Sequence, residues 1–442
     1  MIWGRRSAIL VAAAALVAYH NALTAGFVLD DYHYILEHRE LGLAAIPRLF
    51  WRAYASGGAE FYRPLTTATF ALDRSLFALW APAYHAHNLA WHVAASLLVG
   101  HLFSRVLDGR AATMAALVFA LHPLHTEAVT GIVGRSELMA TTFVLAGCAL
   151  QRDGRRSSAA LAYFAALMSK ESGVMLPLLA VLVDAQTRPW PRAAQRAWNF
   201  LPPLVVYGLL RAHALAGATL PPPAEYFHVA TAGTAFWTAV DVLGRDARLL
   251  VWPHPLAADY SYPALPLSPG GASARTLCTI AGILVVAALA IARGRRPPRL
   301  GLGLAWTAIA ILPVSNLIVH IGVLMAERLL YLPSVGVCLV AGEAWRWLGT
   351  RVRPPLATGA AVAALVSLTS LTLVRNVDWQ TPLALWRDSV AKQPRSALAH
   401  GNLALSCLVV DDRACARAEL QTAVALDPMR ADFAQALRDL PP

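Results

Sequence analysis

The chain has 442 residues, of which 57% are hydrophobic and 14% charged. Soluble domains carry about 25% charged residues, so this composition excludes an ordinary soluble fold and selects a bilayer protein. The net charge of +11 does not signal a nucleic-acid partner, because the arginines stand in short clusters between apolar runs and the lysines are only Lys170 and Lys392.

A span needs about 20 apolar residues. The runs 7–29, 84–107, 111–123, 136–150, 157–170, 172–187, 200–216, 276–292, 300–316, 329–348 and 355–374 read as eleven spans. Short ones are tolerated where protein rather than lipid surrounds them. The first run is too long for a signal-peptide core and lacks a small-x-small cleavage site before Asp30, so it reads as an uncleaved span. Arginine clusters at 5–6, 105–110, 152–156, 188–196, 293–299 and 346–353 belong on the cytoplasmic side by the positive-inside rule. The pattern closes if 236–252, with Asp241, Arg245, Asp246 and Arg248, lies on the interface as an amphipathic helix. The expectation is an all-α integral membrane protein, with a transmembrane domain over 1–374 and outer loops at 30–83 and 217–275. A helical tail over 375–442 would lie outside. The N-terminus is expected in the cytoplasm and the chemistry on the outer face, in a bacterial inner membrane.

Candidate chemistry follows in chain order. Asp30-Asp31 stand where the first span meets the outer surface. Adjacent carboxylates there are costly unless solvated or paired, so they read either as a solvated loop start or as a general base or metal ligand. Arg63, in Phe61-Tyr62-Arg63-Pro64-Leu65, is a partner for carboxylate or phosphate. His122 and His125 precede Glu127, with Arg135 and Glu137 shortly after. The spacing is not that of a zinc-protease helix, so a hydrogen-bond network is preferred to a divalent metal, which stays the alternative. Lys170-Glu171 join two apolar runs without a loop, either as a mutual pair or in a role of their own. Glu327-Arg328 open the tenth span, where an arginine at a helix N-terminus suits a lipid phosphate. The bland reading there is a pair between Glu327 and another base.

In the tail, Pro394 and Pro428 are 34 residues apart, the tetratricopeptide period. Leu403, Ala404, Ala416, Leu420 and Ala423 occupy its small and apolar positions, giving one full repeat over about 397–430. Cys407 and Cys415 could join in a disulfide but read better as one buried and one half-buried thiol, while Cys148, Cys278 and Cys338 read as core residues.

Taken together, Phe27–Asp31, Tyr62–Leu65, His85–His92 (HAHNLAWH), His122–Ala140 (HPLHTEAVTGIVGRSELMA), Lys170–Gly173, Leu312–Asn316 (LPVSN), Ala326–Ser334 (AERLLYLPS) and Val377-Asp378-Trp379 resemble the transmembrane and tetratricopeptide-repeat O-mannosyltransferases of the GT-C superfamily. The resemblance implies a GT-C-type polytopic bundle with a short repeat tail. It implies a polyprenyl- or dolichyl-phosphate-linked sugar donor, with mannose or another hexose inverted onto a protein Ser/Thr hydroxyl outside the cytoplasm. It suggests Asp30 and Asp31 as the acidic motif. Arg328, Arg63 and Lys170 would hold the donor phosphate, supported by His122, His125, Glu127, Arg135, Glu137, Glu171 and Glu327. Members of that family carry long repeat arrays, whereas this chain has little more than one repeat. The rivals are a transferase of the same fold acting on a lipid or cell-envelope glycan, a polytopic transporter, and a scaffold.

Overall fold

The computed structural model describes residues 3–38, 40–56, 59–218, 230–268, 274–291 and 299–440. Parts of the loop expected at 217–275, namely 219–229 and 269–273, and the basic cluster at 293–299 apart from Arg299, lie outside the described residues. The helices that build the bundle are α1 (Arg5–Tyr19), α2 (Pro64–Phe77), α3 (Ala81–Phe103), α4 (Gly109–Leu121), α5 (Arg135–Arg152), α6 (Arg156–Ser169), α7 (Leu176–Asp184), α8 (Leu201–Ala214), α9 (Ala232–Val251), α10 (Ala274–Ile291), α11 (Arg299–Ile311), α12 (Tyr331–Leu348) and α13 (Pro354–Asp378). Four more form the tail: α14 (Pro382–Lys392), α15 (Ala397–Val409), α16 (Arg413–Leu426) and α17 (Ala431–Asp439). A short two-stranded antiparallel pair, β1 (Tyr54–Ser56) and β2 (Ala59–Phe61), accompanies the helices. It lies between the first apolar run and α2, within residues 30–83.

Each expected apolar run contains one helix, and the segment expected to lie on the interface is α9. Three segments are long and apolar enough to cross a bilayer by themselves: Arg5–Thr24, Ile132–Arg152 and Pro354–Asp378. The second is 83% buried and the third 17%, so α5 forms the middle of the bundle and α13 its rim. Short helices such as α4 and α7 pack inside the main core rather than at its edge. The chain is an integral membrane protein.

Small residues bring the helices together. Ala111, Ala112, Ala115 and Ala116 of α4 are fully buried. Across the α11–α12 contact, a Cβ on Gly336 would lie 2.2 Å from the Gly303 carbonyl oxygen, so the two backbones touch there. Polar bonds supplement this packing. Asn376, near the end of α13, donates to the Ala18 carbonyl (3.0 Å) and to Asn21 (2.8 Å), and accepts from the Thr130 hydroxyl (3.0 Å). Such bonds average about 0.6 kcal/mol in membranes, so the close packing dominates.

In the tail, α15 and α16 pack as a hairpin around Leu403, Ala404, Ala416, Leu420 and Ala423. Cys407 and Cys415 form a disulfide, which corrects the expectation of two thiols. The turn that reverses the chain between α15 and α16 brings the eight-residue spacing back to a Cα–Cα distance of 6.0 Å. Cys148 and Cys338 are buried, as expected, whereas Cys278 is exposed.

Candidate functional site

The end of the first apolar segment turns sharply. Leu29 adopts φ 53°, a left-handed conformation rare for a branched residue. The turn is held by Asp31, whose carboxylate accepts from the Val28 backbone N–H (3.0 Å) and the Val133 N–H (2.9 Å). Val133 is supplied by the tight Gly131–Gly134 turn. A Cβ on Gly134 would lie 2.3 Å from the Ala128 carbonyl oxygen, so only glycine lets this turn close. Asp31 is 1% exposed, and burial pushes its carboxyl up to about 7 against those two N–H bonds.

Asp30 faces the other way. Its side chain is 42% exposed and lies 3.4 Å from the Arg328 guanidinium. The geometry therefore separates two carboxylates that look alike in sequence. Asp30 meets solvent, and Asp31 fixes the backbone that presents it.

Arg328 stands at the entrance to α12. Its guanidinium pairs with Glu127, whose other oxygen accepts the Arg328 backbone N–H at 2.9 Å. Glu127 is nearly buried, while Arg328 keeps 21% of its side chain exposed. Burial alone would lower the arginine's pKa, but Glu127 and Asp30 outweigh it and hold the group firmly charged. Asp30, Asp31, Glu127, Arg328 and Trp379 line a small cleft together with Val133 and Gly134. Its enclosed space, about 20 Å³, is far below the ~300–1,000 Å³ of drug-sized sites. It has room for one small polar group, not a whole lipid-linked molecule.

A second charged group sits nearby. Lys170 pairs with buried Glu137. Glu171 accepts from Arg63 at 3.0 Å and from Arg211 at 3.3 Å. The mutual Lys170–Glu171 pair weighed from sequence does not form, because extended backbone at Lys170 and a 3₁₀ turn after it send the two side chains apart. Arg63 occupies the position just before α2, which starts at Pro64. Tyr34 lies within the fields of both groups: its phenol feels Arg63 and Glu171 as well as Asp30 and Arg328, while burial raises its pKa.

Four further sequence candidates, Arg135, His122, His125 and Glu327, are held in hydrogen-bond networks inside the protein. Arg135 is fully buried and bonds Asp73 (2.5 Å), Asn88 (2.7 Å), Thr69 (3.1 Å) and the Tyr84 carbonyl (3.1 Å). His125 is also fully buried, with Nδ1 on the Phe119 carbonyl (3.0 Å) and Nε2 on Ser334 (2.8 Å). His122 accepts weakly from the Leu124 N–H at 3.4 Å. Both ring nitrogens of His125 are thus committed to protein, and among the described residues no group of three or more His, Cys, Asp or Glu is placed to hold a metal. Glu327 accepts from the Ala257 N–H and the Tyr260 hydroxyl (2.6 Å each), and lies 3.7 Å from Arg375. Burial raises its carboxyl.

Asp73, Asn88, Arg211, Arg375, Tyr34 and Trp379 were not singled out as site residues from sequence. Asn88 lies inside the quoted His85–His92 motif, and Trp379 ends the quoted Val377–Trp379 stretch. Arg375 carries the tail's attachment: it pairs with Asp388 (2.6 Å) and Asp378 (3.1 Å), and Lys392 binds Asp388 (2.6 Å).

No protein-family model matches the chain. It is 27% identical to the Mus musculus protein O-mannosyl-transferase TMTC3, over 89% of this chain and 48% of that protein. It is 28% identical to the Caenorhabditis elegans protein O-mannosyl-transferase F38B6.6, over 90% of this chain and 60% of that one. The chain spans about half the length of the first of these relatives. Among solved structures it aligns with ArnT from Cupriavidus metallidurans bound to undecaprenyl phosphate, with a TM-score of 0.43, 16% identity and coverage of 97% of this chain and 76% of that one. The resemblance carried by the motifs is borne out by the curated relatives: along nearly its whole length, this chain is similar to the transmembrane and tetratricopeptide-repeat protein O-mannosyltransferases.

Proposed function

We propose that the chain transfers a hexose from a polyprenyl-phosphate carrier to a hydroxyl acceptor, a Ser or Thr of protein, on the non-cytoplasmic face of a bacterial inner membrane. The observation that carries this reading is the exposed Asp30 carboxylate held 3.4 Å from Arg328 in a cleft at the helix ends. Asp30 removes the acceptor hydroxyl's proton, and the oxygen attacks the anomeric carbon. The bond from that carbon to the phosphate oxygen breaks, the carrier phosphate leaves with the electron pair, and the anomeric centre inverts. Asp31 positions its neighbour through the backbone.

Charge counting divides the arginines. Glu127 and Asp30 already balance Arg328, so its exposed edge orients the base and meets only part of the phosphate charge. Arg63, Arg211 and Lys170 stand against Glu171 and Glu137, three cations to two anions. That surplus is the electrostatic station for the leaving phosphate. Membranes containing the chain, given radiolabelled polyprenyl-phosphate hexoses, are expected to move label into protein in a base-labile, O-linked form. Label that appears only in lipid or glycan selects the rival acceptor. No transfer with any hexose donor overturns the reading.

A further inference from the structure

We propose that the C-terminal end of α9 and the loop before Arg328 form one lipid-inserting unit, seated in the outer leaflet beside the cleft. The two segments share a core: Val242, Leu249 and Leu250 of α9 are buried together with Leu324, Met325 and Leu330. Outward from that core, aliphatic and aromatic side chains are exposed among the described residues. Ile318 is 70% exposed, Val319 61% and Trp252 67%, with Leu317 and Val251 also exposed. Apolar side chains gain free energy on leaving water, so this grouping is unfavourable in water.

The loop is not a frayed connection. Asn316, at φ 57°, donates to the Val323 (3.1 Å) and Leu324 (3.2 Å) carbonyls and accepts from the Ile321 N–H (2.8 Å). Its side chain thereby closes the base of the loop and thrusts residues 317–319 outward.

Its level in the membrane follows from its neighbours. The loop joins α11 to α12, two apolar helices packed together, at the end of the bundle that carries Arg328 and the cleft. An apolar tip at that level continues the bilayer-facing surface of the helices. The exposed Trp252 and Arg248 supply the aromatic and cationic groups that settle at headgroup depth. The occupant is therefore membrane lipid, with insertion of about 5–10 Å. The inference concerns where the site sits, and it extends the proposed function by placing the Arg328 cleft within reach of a lipid-borne phosphate.

The test uses the full chain with Cys278→Ser, so that the remaining free thiols are buried. Spin labels are placed one at a time through Ile318→Cys, Val319→Cys and Trp252→Cys. Met429→Cys, at a tail position 90% exposed, gives the aqueous reference. In phosphatidylcholine–phosphatidylglycerol vesicles, collisions with oxygen should exceed those with a water-soluble nickel chelate at the first three positions, and the order should reverse at 429. Nickel access at 318 and 319 equal to that at 429 overturns the proposal. So does exclusion of both reagents, which assigns the surface to a protein partner or a second copy. The readout needs no sugar transfer, so a failure of the proposed chemistry leaves it standing, and its own failure leaves the chemistry untouched.

Discussion

Arg135 and Arg328 enter the sequence alike, each an arginine within a short motif that also carries a glutamate. Their surroundings differ in one respect. Every side of the Arg135 guanidinium is used by Asp73, Asn88, Thr69 and Tyr84, with Phe70 beneath it at 4.6 Å. Arg328 is gripped from one side by Glu127 and keeps an edge toward Asp30 and the cleft. A saturated arginine clamps α2 and α3 onto the bundle. One left partly open can act on a ligand. What distinguishes them is the remaining hydrogen-bonding capacity, not burial of charge alone.

The sharpest way to break this contrast is at the carboxylates. Asp30→Asn should reduce transfer by about 10²–10⁴-fold with thermal stability unchanged, as measured in membranes normalised to inserted protein. An unchanged rate removes Asp30 as the base. Next in size, Arg135→Ala should cost about 3–5 kcal/mol, because it leaves buried Asp73 with only the His87 ring. Thermal unfolding in detergent would show this as a large drop in Tm or as lost protein. Arg328→Lys, by contrast, should keep Tm close to the parent while weakening donor binding, since a point charge replaces a fork. Equal Tm losses in the two variants would end the distinction between clamp and site.

Much of this site was legible. Asp30-Asp31, Glu127 and Arg328 stand out as charged residues at the ends of apolar runs, where a charge demands a reason, and the fold brings them to one cleft. Their division of labour was not legible. Neighbouring carboxylates have the same spacing whichever one is buried, and only the left-handed turn at Leu29 sends them apart. The partners of Arg135 lie 62 and 47 residues away at Asp73 and Asn88, so no local periodicity announces them. Arg211 sits in an apolar helix, where its pairing with Glu171 depends on how α8 meets the end of α6. Eleven helices could be read because apolar length is a local property. The disulfide could not, because it depends on the turn between α15 and α16.

Smaller effects refine the picture. Asp31→Asn removes one of two charge-assisted backbone bonds and should cost about 1–3 kcal/mol, with a smaller loss of rate than Asp30→Asn. Cys415→Ser should lower the stability of the tail by about 2 kcal/mol, read by proteolysis of that segment, with little change in the bundle. The smallest is a pH effect. Asp31 titrates near 7 when folded, against an ordinary value of 3.8. The folded state therefore holds this proton more tightly, and the group's stabilisation is full below about pH 4 and lost as pH rises through about 7. Tm should fall more steeply between pH 5 and pH 8 in the parent than in Asp31→Asn. Parallel slopes would show that Asp31 does not titrate in that window.

The contact between Glu327 and Arg375 has a consequence for how the molecule is made. Translation delivers Glu327, with Arg328 beside it, well before Arg375, and Asp388 later still. Until those residues emerge, Glu327 has only Tyr260 and the Ala257 N–H, with no positive charge to set against burial. The segment that presents Arg328 is thus completed only by residues that follow it in synthesis. A nascent chain halted before α14 would carry Asp30 and Arg328 yet lack the full set of contacts that holds them in register. Glu327 gains its cationic partner only once Arg375 has been made, and that arginine is itself balanced only once Asp388 follows.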